Sequence, residues 1–311
     1  MVRTSIVLCY PRRRRFSAPL RSGEIMIRKI LKVIGWITAA AASVAVIAVI
    51  GVWALGSAKI NQKFSAPTVG LSHSSDPAVI AEGERLATIT GCNGCHAPRM
   101  QGQVFGELPD GTRLIAPNIP RLAATYTDED LARSIRYGVK SNGKGVLGMP
   151  SDAFFGMTDD DLVAILSYIR ATPDEGGESP NTRIGLMARA FLISGEVNTA
   201  PIEIGDFDRR PVFDFNDDIE KGAYLARIAC AECHGLDLKG TSFDDFGAPD
   251  LVVASAYTSE QFNTLMRTGV GASNRDLGLM SKMGLYRFSS FTDEEVSILH
   301  EFLKHRAMNA N

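Results

Sequence analysis

The sequence predicts an all-α chain: one N-terminal membrane-spanning helix followed by two tandem copies of a small helical unit. Three observations predict it. Residues 33–56 are 24 in a row without a charged side chain. The run Cys92-Asn93-Gly94-Cys95-His96 recurs as Cys230-Ala231-Glu232-Cys233-His234. Each run is followed by two segments that open on threonine with acidic or amide residues and then turn apolar, starting at Thr127 and Thr158 after the first and at Thr258 and Thr292 after the second.

The charge-free stretch comes first. At 1.5 Å per residue it makes about 36 Å of helix, enough to cross a bilayer core of about 30 Å. Arg12 to Arg15, Arg21, Arg28, Lys29 and Lys32 precede it, and only Lys59 and Lys63 follow closely. The positive-inside rule therefore places residues 1–32, a basic N-terminal segment, in the cytoplasm and everything after the 33–56 anchor in the periplasm. The competing expectation is a cleaved export signal, whose apolar core is usually about 7–15 residues, with Leu55-Gly56-Ser57-Ala58 as the small-residue cleavage site. Met26 is a second candidate start, because Met26-Ile27-Arg28-Lys29 itself opens an export segment.

Charge divides along the same line. Residues 1–32 hold nine Lys or Arg and one acid, leaving 24 bases against 34 acids in the remainder, a balance of −10. An acidic exported part excludes nucleic acid as a natural partner and suits a basic protein surface. With 45% hydrophobic and 22% charged residues the composition is that of a globular protein. Of five cysteines four lie in the repeated runs, so Cys9 has no disulfide partner.

Residues 57–76 are polar and predict a tether, with His73 solvated. The repeated pattern then runs over 77–172 and again over 216–311. In the first copy Glu82-Gly83-Glu84-Arg85-Leu86 starts a short helix into Cys92; in the second Glu220-Lys221-Gly222-Ala223-Tyr224-Leu225 does so into Cys230. Proline loops follow, Ala116-Pro117-Asn118 and Ala248-Pro249-Asp250. Thr127 and Thr258 then cap helices that stop at Gly138 and Gly269. Thr158 and Thr292 cap the closing helices, on which His300 falls at the position of Leu166 and predicts a half-buried histidine with an ordinary hydrogen-bond partner. The linker, 173–215, predicts either a short helix over its apolar run Ile184–Ile193, bracing both copies, or a loose tether.

A C-x-x-C-H run is the signature of c-type haem attachment: two thiols three residues apart each reach one vinyl group of the same porphyrin, and the next residue sets an imidazole under the iron. Zinc would need a second ligand pair near each run, and a dithiol oxidoreductase a βαβ context; the sequence supplies neither. Two runs predict two covalently bound haem c groups, on Cys92 and Cys95 and on Cys230 and Cys233, with His96 and His234 as proximal iron ligands. The Pro117 and Pro249 loops are the expected source of a carbonyl for each imidazole's second nitrogen. For the opposite face of each iron the sequence offers Met149, with Met157 as alternative, and Met280, with Met283 as alternative. Met100, Met266, Met187 and Met308 fall at core, linker or terminal positions.

With these residues in view the chain resembles the membrane-anchored dihaem class I c-type cytochromes, two cytochrome c domains in tandem. The two Cys-x-x-Cys-His runs, Ala116-Pro117-Asn118, Met149-Pro150-Ser151, Arg183-Ile184-Gly185-Leu186, Leu279-Met280-Ser281 and the closing helices carry the resemblance. It implies an electron carrier without substrate chemistry of its own, working in a respiratory chain between a dehydrogenase or quinol-oxidising complex and a terminal oxidase or soluble carrier. Two other classes stay open: a fixed subunit of a membrane dehydrogenase or oxidase, and a dihaem redox enzyme, which would need an open iron position. Asp217, Asp218, Asp244 and Asp245 are expected to steer a basic partner.

Overall fold

The computed structural model describes residues 22–176, 181–243 and 246–309. Helix α1, Ser22–Ile60, carries the predicted anchor, and Ile25–Ile60 is long and apolar enough to cross a membrane. From Ile25 to Ile50 every side chain in it is exposed. It ends four residues beyond the predicted 33–56 anchor, where Asn61 N–H still donates to Ser57 O at 3.0 Å.

Val52–Asn311 forms a separate compact unit. Its elements follow one order twice. The first series is α2 (Pro77–Ile89), α3 (Cys92–Cys95), the hairpin β1 (Gln103–Glu107) with β2 (Arg113–Ala116), α4 (Ile119–Ala123), α5 (Asp128–Arg136), α6 (Ser151–Phe154) and α7 (Asp159–Ala171). Two linker helices, α8 (Leu186–Ser194) and α9 (Ala200–Ile204), separate it from the second. That comprises α10 (Asp218–His234), the hairpin β3 (Thr241–Phe243) with β4 (Phe246–Ala248), a 3-10 turn Leu251–Ala256, α11 (Ser259–Thr268), the two-residue pair β5 (Val270–Gly271) and β6 (Arg275–Asp276), α12 (Leu279–Tyr286) and α13 (Asp293–Met308).

The threonine caps form as the sequence predicts. Thr127, Thr258 and Thr292 each close a capping box with the residue three along, and Thr158 accepts from Asp161 N–H. Gly138 and Gly269 lie in the left-handed region at φ 64° and 74°. The strands depart from the all-α expectation. Pro109-Asp110-Gly111 between β1 and β2 is turn chemistry, with Gly111 at φ 80°, and the hairpins are too short to change the helical character of the unit.

In both series the first and last helices cross at a glycine. A Cβ on Gly83 would meet the Ala164 carbonyl oxygen at 1.9 Å, and one on Gly222 would meet Phe302 Cβ at 2.4 Å. Tyr168, beside Gly83, and Phe302 stand ten residues after their capping threonines, so the two crossings are built at equivalent positions. Close approach of two helix backbones needs a residue without a side chain there. Between this glycine and the first cysteine the first series has one residue more than the second. The surplus is absorbed at Thr90-Gly91, where Gly91 turns to φ 79°, so α2 and α3 are separate while α10 runs unbroken through His234.

The two series share one core, in which Leu86, Ile89, Leu162 and Ile165 pack with Leu225, Ile228, Val296 and Leu299. Polar contacts across it are reciprocal. Arg85 on α2 forks onto Glu295 at the start of α13, at 2.7 and 3.0 Å. Tyr224, the residue of α10 equivalent to Arg85, donates its hydroxyl to Asp161, the residue of α7 equivalent to Glu295. Position i meets j and the equivalent of i meets the equivalent of j, which is the pairing of a two-fold interface.

Burial, the largest influence, holds the Asp161 pKa above its ordinary 3.8, and the Tyr224 hydroxyl works against it by favouring the carboxylate. The folded state thus binds this proton more tightly than the unfolded one, so the group's contribution to stability is full below the ordinary carboxylate pKa and declines as pH rises through the folded value. Tyr224→Phe removes the donor and leaves a buried carboxylate, a loss of about 1–3 kcal/mol. Denaturant unfolding should show that loss at neutral pH and a smaller one near the ordinary pKa of 3.8, where Asp161 takes up a proton instead. An equal loss at both would contradict this account.

Two expectations about the connecting segments change. Residues 61–76 are strapped to the first series rather than loose: Val69 and Gly70 N–H groups donate to Glu129 at 3.0 and 2.9 Å, and Ser74 N–H to Ser167 Oγ at 2.8 Å. His73 is not merely solvated, because its Nδ1 lies 2.7 Å from Asp128 Oδ2. Burial alone would raise the Asp128 pKa, but His73 and Arg170 outweigh it and bring it to about 2. The linker helix does form, yet α8 docks on the first series and the end of α1. Gly185 N–H donates to Thr112 Oγ1 at 2.9 Å, Met187 N–H to Asp110 at 2.6 Å, and Arg189 Nη1 to Ser57 Oγ at 2.8 Å.

Candidate functional site

α3 presents Cys92 and Cys95, and His96 follows as its C-cap. The His96 Nδ1–H donates to Pro117 O at 2.9 Å, and the His234 Nδ1–H to Pro249 O at 2.8 Å. Both proline loops thus supply the carbonyl that the sequence predicts, fixing the tautomer and leaving Nε2 free to bind a metal. Burial, only partly opposed by that carbonyl, lowers the pKa of each imidazole, so both rings are neutral.

Around His96 opens a cavity of about 570 Å3. Its size lies within the range of about 300–1,000 Å3 typical of cofactor pockets. Its walls carry Cys92, Cys95 and His96 together with Met149 and Met157, and are otherwise mostly apolar: Ile119, Leu131, Ile135, Phe154, Ile165 and Ile169 belong to them. Two thiols, one imidazole with a free Nε2 and a thioether in one apolar cavity are the donor set that a covalently attached porphyrin iron requires. The residues present fit a haem c.

The hairpin and the linker complete this cavity, and sequence reasoning assigned neither to it. Register slips between Val104 and Gly106 of β1, making Phe105 the bulged residue. Bulges re-aim side chains, and the Phe105 ring lies 2.7 Å from where a Cβ on Gly148 would stand, beside Met149. Arg183 pairs with Arg113 of β2 through reciprocal backbone hydrogen bonds of 2.8 and 3.0 Å. That pairing brings Asn181, Thr182 and Ile184 to the rim.

The methionines separate by surroundings. Met149 is half-buried on the loop before α6, whereas Met157 is 1% exposed and its carbonyl is held by Arg136 Nη2 at 2.9 Å. Met280 and Met283 both lie half-buried on α12, and the Met283 sulfur accepts from Arg287 Nη1 at 3.8 Å. Met100 and Met266 are core residues at 1% exposure each. His300 is more deeply buried than its sequence position suggests, stacked on Phe262 with its Nε2 bonded to Ala254 O.

All four motif thiols are pushed up, by burial foremost, and Cys230 reaches about 12. A dithiol exchange centre needs the reverse. Among the described residues no group of three or more His, Cys, Asp and Glu is placed to hold a metal ion, which leaves zinc without a ligand set.

The two attachment segments meet. Arg287, at the end of α12, donates to Ile89 O at 3.0 and 3.2 Å, three residues before Cys92, and to Glu232 at 3.0 Å, inside the second motif. Its guanidinium lies over Gly91, where a Cβ would come within 2.5 Å of it. Glu232 itself reaches the wall of the first cavity. One cation and one anion thus stand between the two C-x-x-C-H runs, a junction with no local sequence signal.

Of the acids expected to steer a partner, Asp217 caps α10 through Ile219 N–H and Asp218 pairs with Lys221 Nζ at 3.0 Å. Asp244 and Asp245 lie outside the described residues.

Residues 80–173 match the family model of cytochrome c. Over 280 residues the chain is 24% identical to the "Fructose dehydrogenase cytochrome subunit" of Gluconobacter japonicus, an alignment covering 80% of this chain and 56% of that one. Over 286 residues it is 23% identical to the "Alcohol dehydrogenase (quinone), cytochrome c subunit" of Gluconobacter oxydans (strain 621H), covering 77% and 57%. The chain therefore spans a little over half the length of these relatives. The matches support a c-type cytochrome that carries covalently bound haem and transfers electrons.

Proposed function

We propose that the chain is a dihaem c-type cytochrome, anchored by α1 with its haem units in the periplasm, and that it serves as the electron-transfer subunit of a membrane-bound, quinone-linked dehydrogenase. The observation that carries the proposal is the meeting of two C-x-x-C-H segments, each with its imidazole held by a proline carbonyl, in one compact unit. A haem bound at each segment supplies one-electron redox chemistry. Cys92 and Cys95, or Cys230 and Cys233, would hold it covalently, and His96 or His234 would bind its iron. Met149 and Met280 would be the second protein ligands. Met157 and Met283 are the alternatives, and the Arg287 contact on the Met283 sulfur favours Met280. Apolar walls such as Ile135, Phe154 and Ile165 keep water from the first site, and a low dielectric there strengthens the effect of every nearby charge.

The relatives' names favour a subunit over the shuttle that the sequence led us to expect. With Asp217 and Asp218 engaged within their own helix, the case for steered encounters also weakens. Solubilising membranes in a mild detergent distinguishes the two. A subunit co-purifies with a dehydrogenase through a wash at high salt, and that enzyme's substrate reduces its haems. A shuttle purifies alone, and its transfer rate falls as the Debye length shrinks from about 30 Å at 0.01 M salt to about 10 Å at 0.1 M.

A further inference from the structure

Among the described residues, nothing covers one apolar surface of the linker helix α8. Of its nine residues, Leu186–Ser194, Arg189 alone is charged. Ala188 and Leu192 are buried against the unit, while Leu186 and Met187 are 39% and 37% exposed and Ala190 is exposed between them. Past the helix end Val197 is 41% exposed. A helix apolar on every side belongs in a protein core or against lipid, and this one has core on one side only.

Its position says what covers the other side. α8 is docked on the last turns of α1: a Cβ on Gly56 would come within 2.5 Å of Arg189 Cβ and 3.1 Å of Arg189 Cα. The Arg189 guanidinium lies over the Trp53 ring at 5.5 Å and donates to Ser57 Oγ. Gly56 is the last residue of the predicted 33–56 anchor. That stretch, about 36 Å long, exceeds a bilayer core of about 30 Å by about 3 Å at each end, which puts Gly56 in the headgroup layer. Tryptophan is favoured at that depth, and arginine tolerates it by holding its charge towards water.

The charge at the end of α1 agrees. Lys59, Lys63 and Lys144 gather around the end of α1, with Lys63 and Lys144 paired through their backbones and Lys144 Nζ on Asn61 Oδ1 at 2.7 Å. Of the acids beside α8, Asp110 is engaged by the Met187 and Thr112 N–H groups, and Glu196 stands exposed two residues past the helix end. In a unit that is acidic as a whole, a basic collar beside an apolar helix is the combination that binds anionic lipid.

We infer that α8 lies in the outer headgroup layer of the membrane, with Leu186, Met187 and Ala190 against lipid. This holds the first cavity, whose rim includes Ile60 and Ile184, beside the bilayer surface. The inference rests on α1 being a retained membrane anchor.

The test uses the full-length chain with Cys9→Ser, so that an introduced cysteine is the one thiol outside the two motifs. Leu186→Cys, Ala190→Cys and, as a reference at an 83% exposed linker position, Val212→Cys are each labelled with an environment-sensitive fluorophore. Each is reconstituted into vesicles of phosphatidylethanolamine and phosphatidylglycerol. Unchanged haem absorbance shows that the labelled chain is folded. At 186 and 190 the ratio of quenching by shallow brominated lipid to quenching by aqueous iodide should be several-fold higher than at 212. Alkaline carbonate extraction reports on the anchor separately. If the protein stays in the vesicles but 186 and 190 match 212, the inference is overturned and the anchor stands; if carbonate releases the protein, both fall.

Discussion

On the dihaem proposal, replacing Cys230 and Cys233 with serine should remove half of the covalently bound haem and leave the rest on Cys92 and Cys95. The mirror variant, Cys92→Ser with Cys95→Ser, should leave the other half. The reason lies in the repeated local geometry. Each run follows a helix whose glycine, Gly83 or Gly222, crosses the closing helix, and each ends in a histidine bonded to a proline carbonyl at 2.9 or 2.8 Å. Equivalent geometry should bind equivalent groups. Haem per chain, from the absorbance of the alkaline pyridine complex against protein mass, is the measurement, and mass spectrometry of the denatured chain locates each attachment. A wild-type chain that carries a single haem, unchanged by the Cys230 and Cys233 substitutions, would sink the dihaem proposal and leave residues 80–173, the part matched by the cytochrome c family model, as the one haem unit.

What the sequence made legible and what it hid divide by the range of the interactions. The caps at Thr127, Thr158, Thr258 and Thr292 are decided within three residues and were read correctly from the letters. So were the proline loops, because a ligating imidazole must find an acceptor for its second nitrogen and the only matched candidates after both runs were Pro117 and Pro249. The β1–β2 hairpin was legible in principle: Pro109-Asp110-Gly111 is a turn signal, outweighed by the helical expectation for the surrounding unit. The strap at Val69, Gly70 and His73 was not, since its partners Glu129 and Asp128 stand some 55–60 residues away and polar composition alone reads as a tether. Arg287 was the least legible of all. It lies 198 residues from Ile89 and 55 from Glu232, in a segment whose local pattern marks only a helix end.

That junction bears on function through electrostatics. A cation favours the reduced, less positive state of any iron centre near it. Arg287 stands between the two attachment segments, so it should act on both centres rather than one. Its neighbour Glu232 offsets part of the effect, and the net influence is that of a pair with the positive end towards Ile89 O and Gly91. The motifs themselves are specific for haem and silent about partners; the assignment to a dehydrogenase comes from the relatives alone, at 23–24% identity. For that reason co-purification, and not a redox titration, is the measurement that decides the partner.

Exchanging the distal thioether is expected to move one potential far and the other little. With Met149 as the proposed ligand, Met149→His would put an imidazole in the place of a sulfur that favours the reduced iron, and the potential of the first centre should fall by on the order of a hundred millivolts or more, within the span of about 0.8 V that axial ligands command. Met280→His should do the same to the second centre. Met149 is half-buried on a loop bounded by Gly148 at φ 78° and Pro150, so the new side chain can be accommodated without rebuilding a helix. Met157, at 1% exposure, offers no such room, and Met157→Ala should cost about 2–5 kcal/mol of stability through the cavity it leaves, with the potential little changed. Spectroelectrochemical titration of each variant resolves the two centres. If Met149→His leaves both potentials in place while Met157→Ala shifts one, Met157 is the ligand. If Met280→His is silent, Met283 is the second ligand, its sulfur having left the Arg287 contact seen here at 3.8 Å. A chain in which neither these three substitutions nor Met283→His moves a potential would have irons that methionine does not close, and the open-position enzyme reading would return.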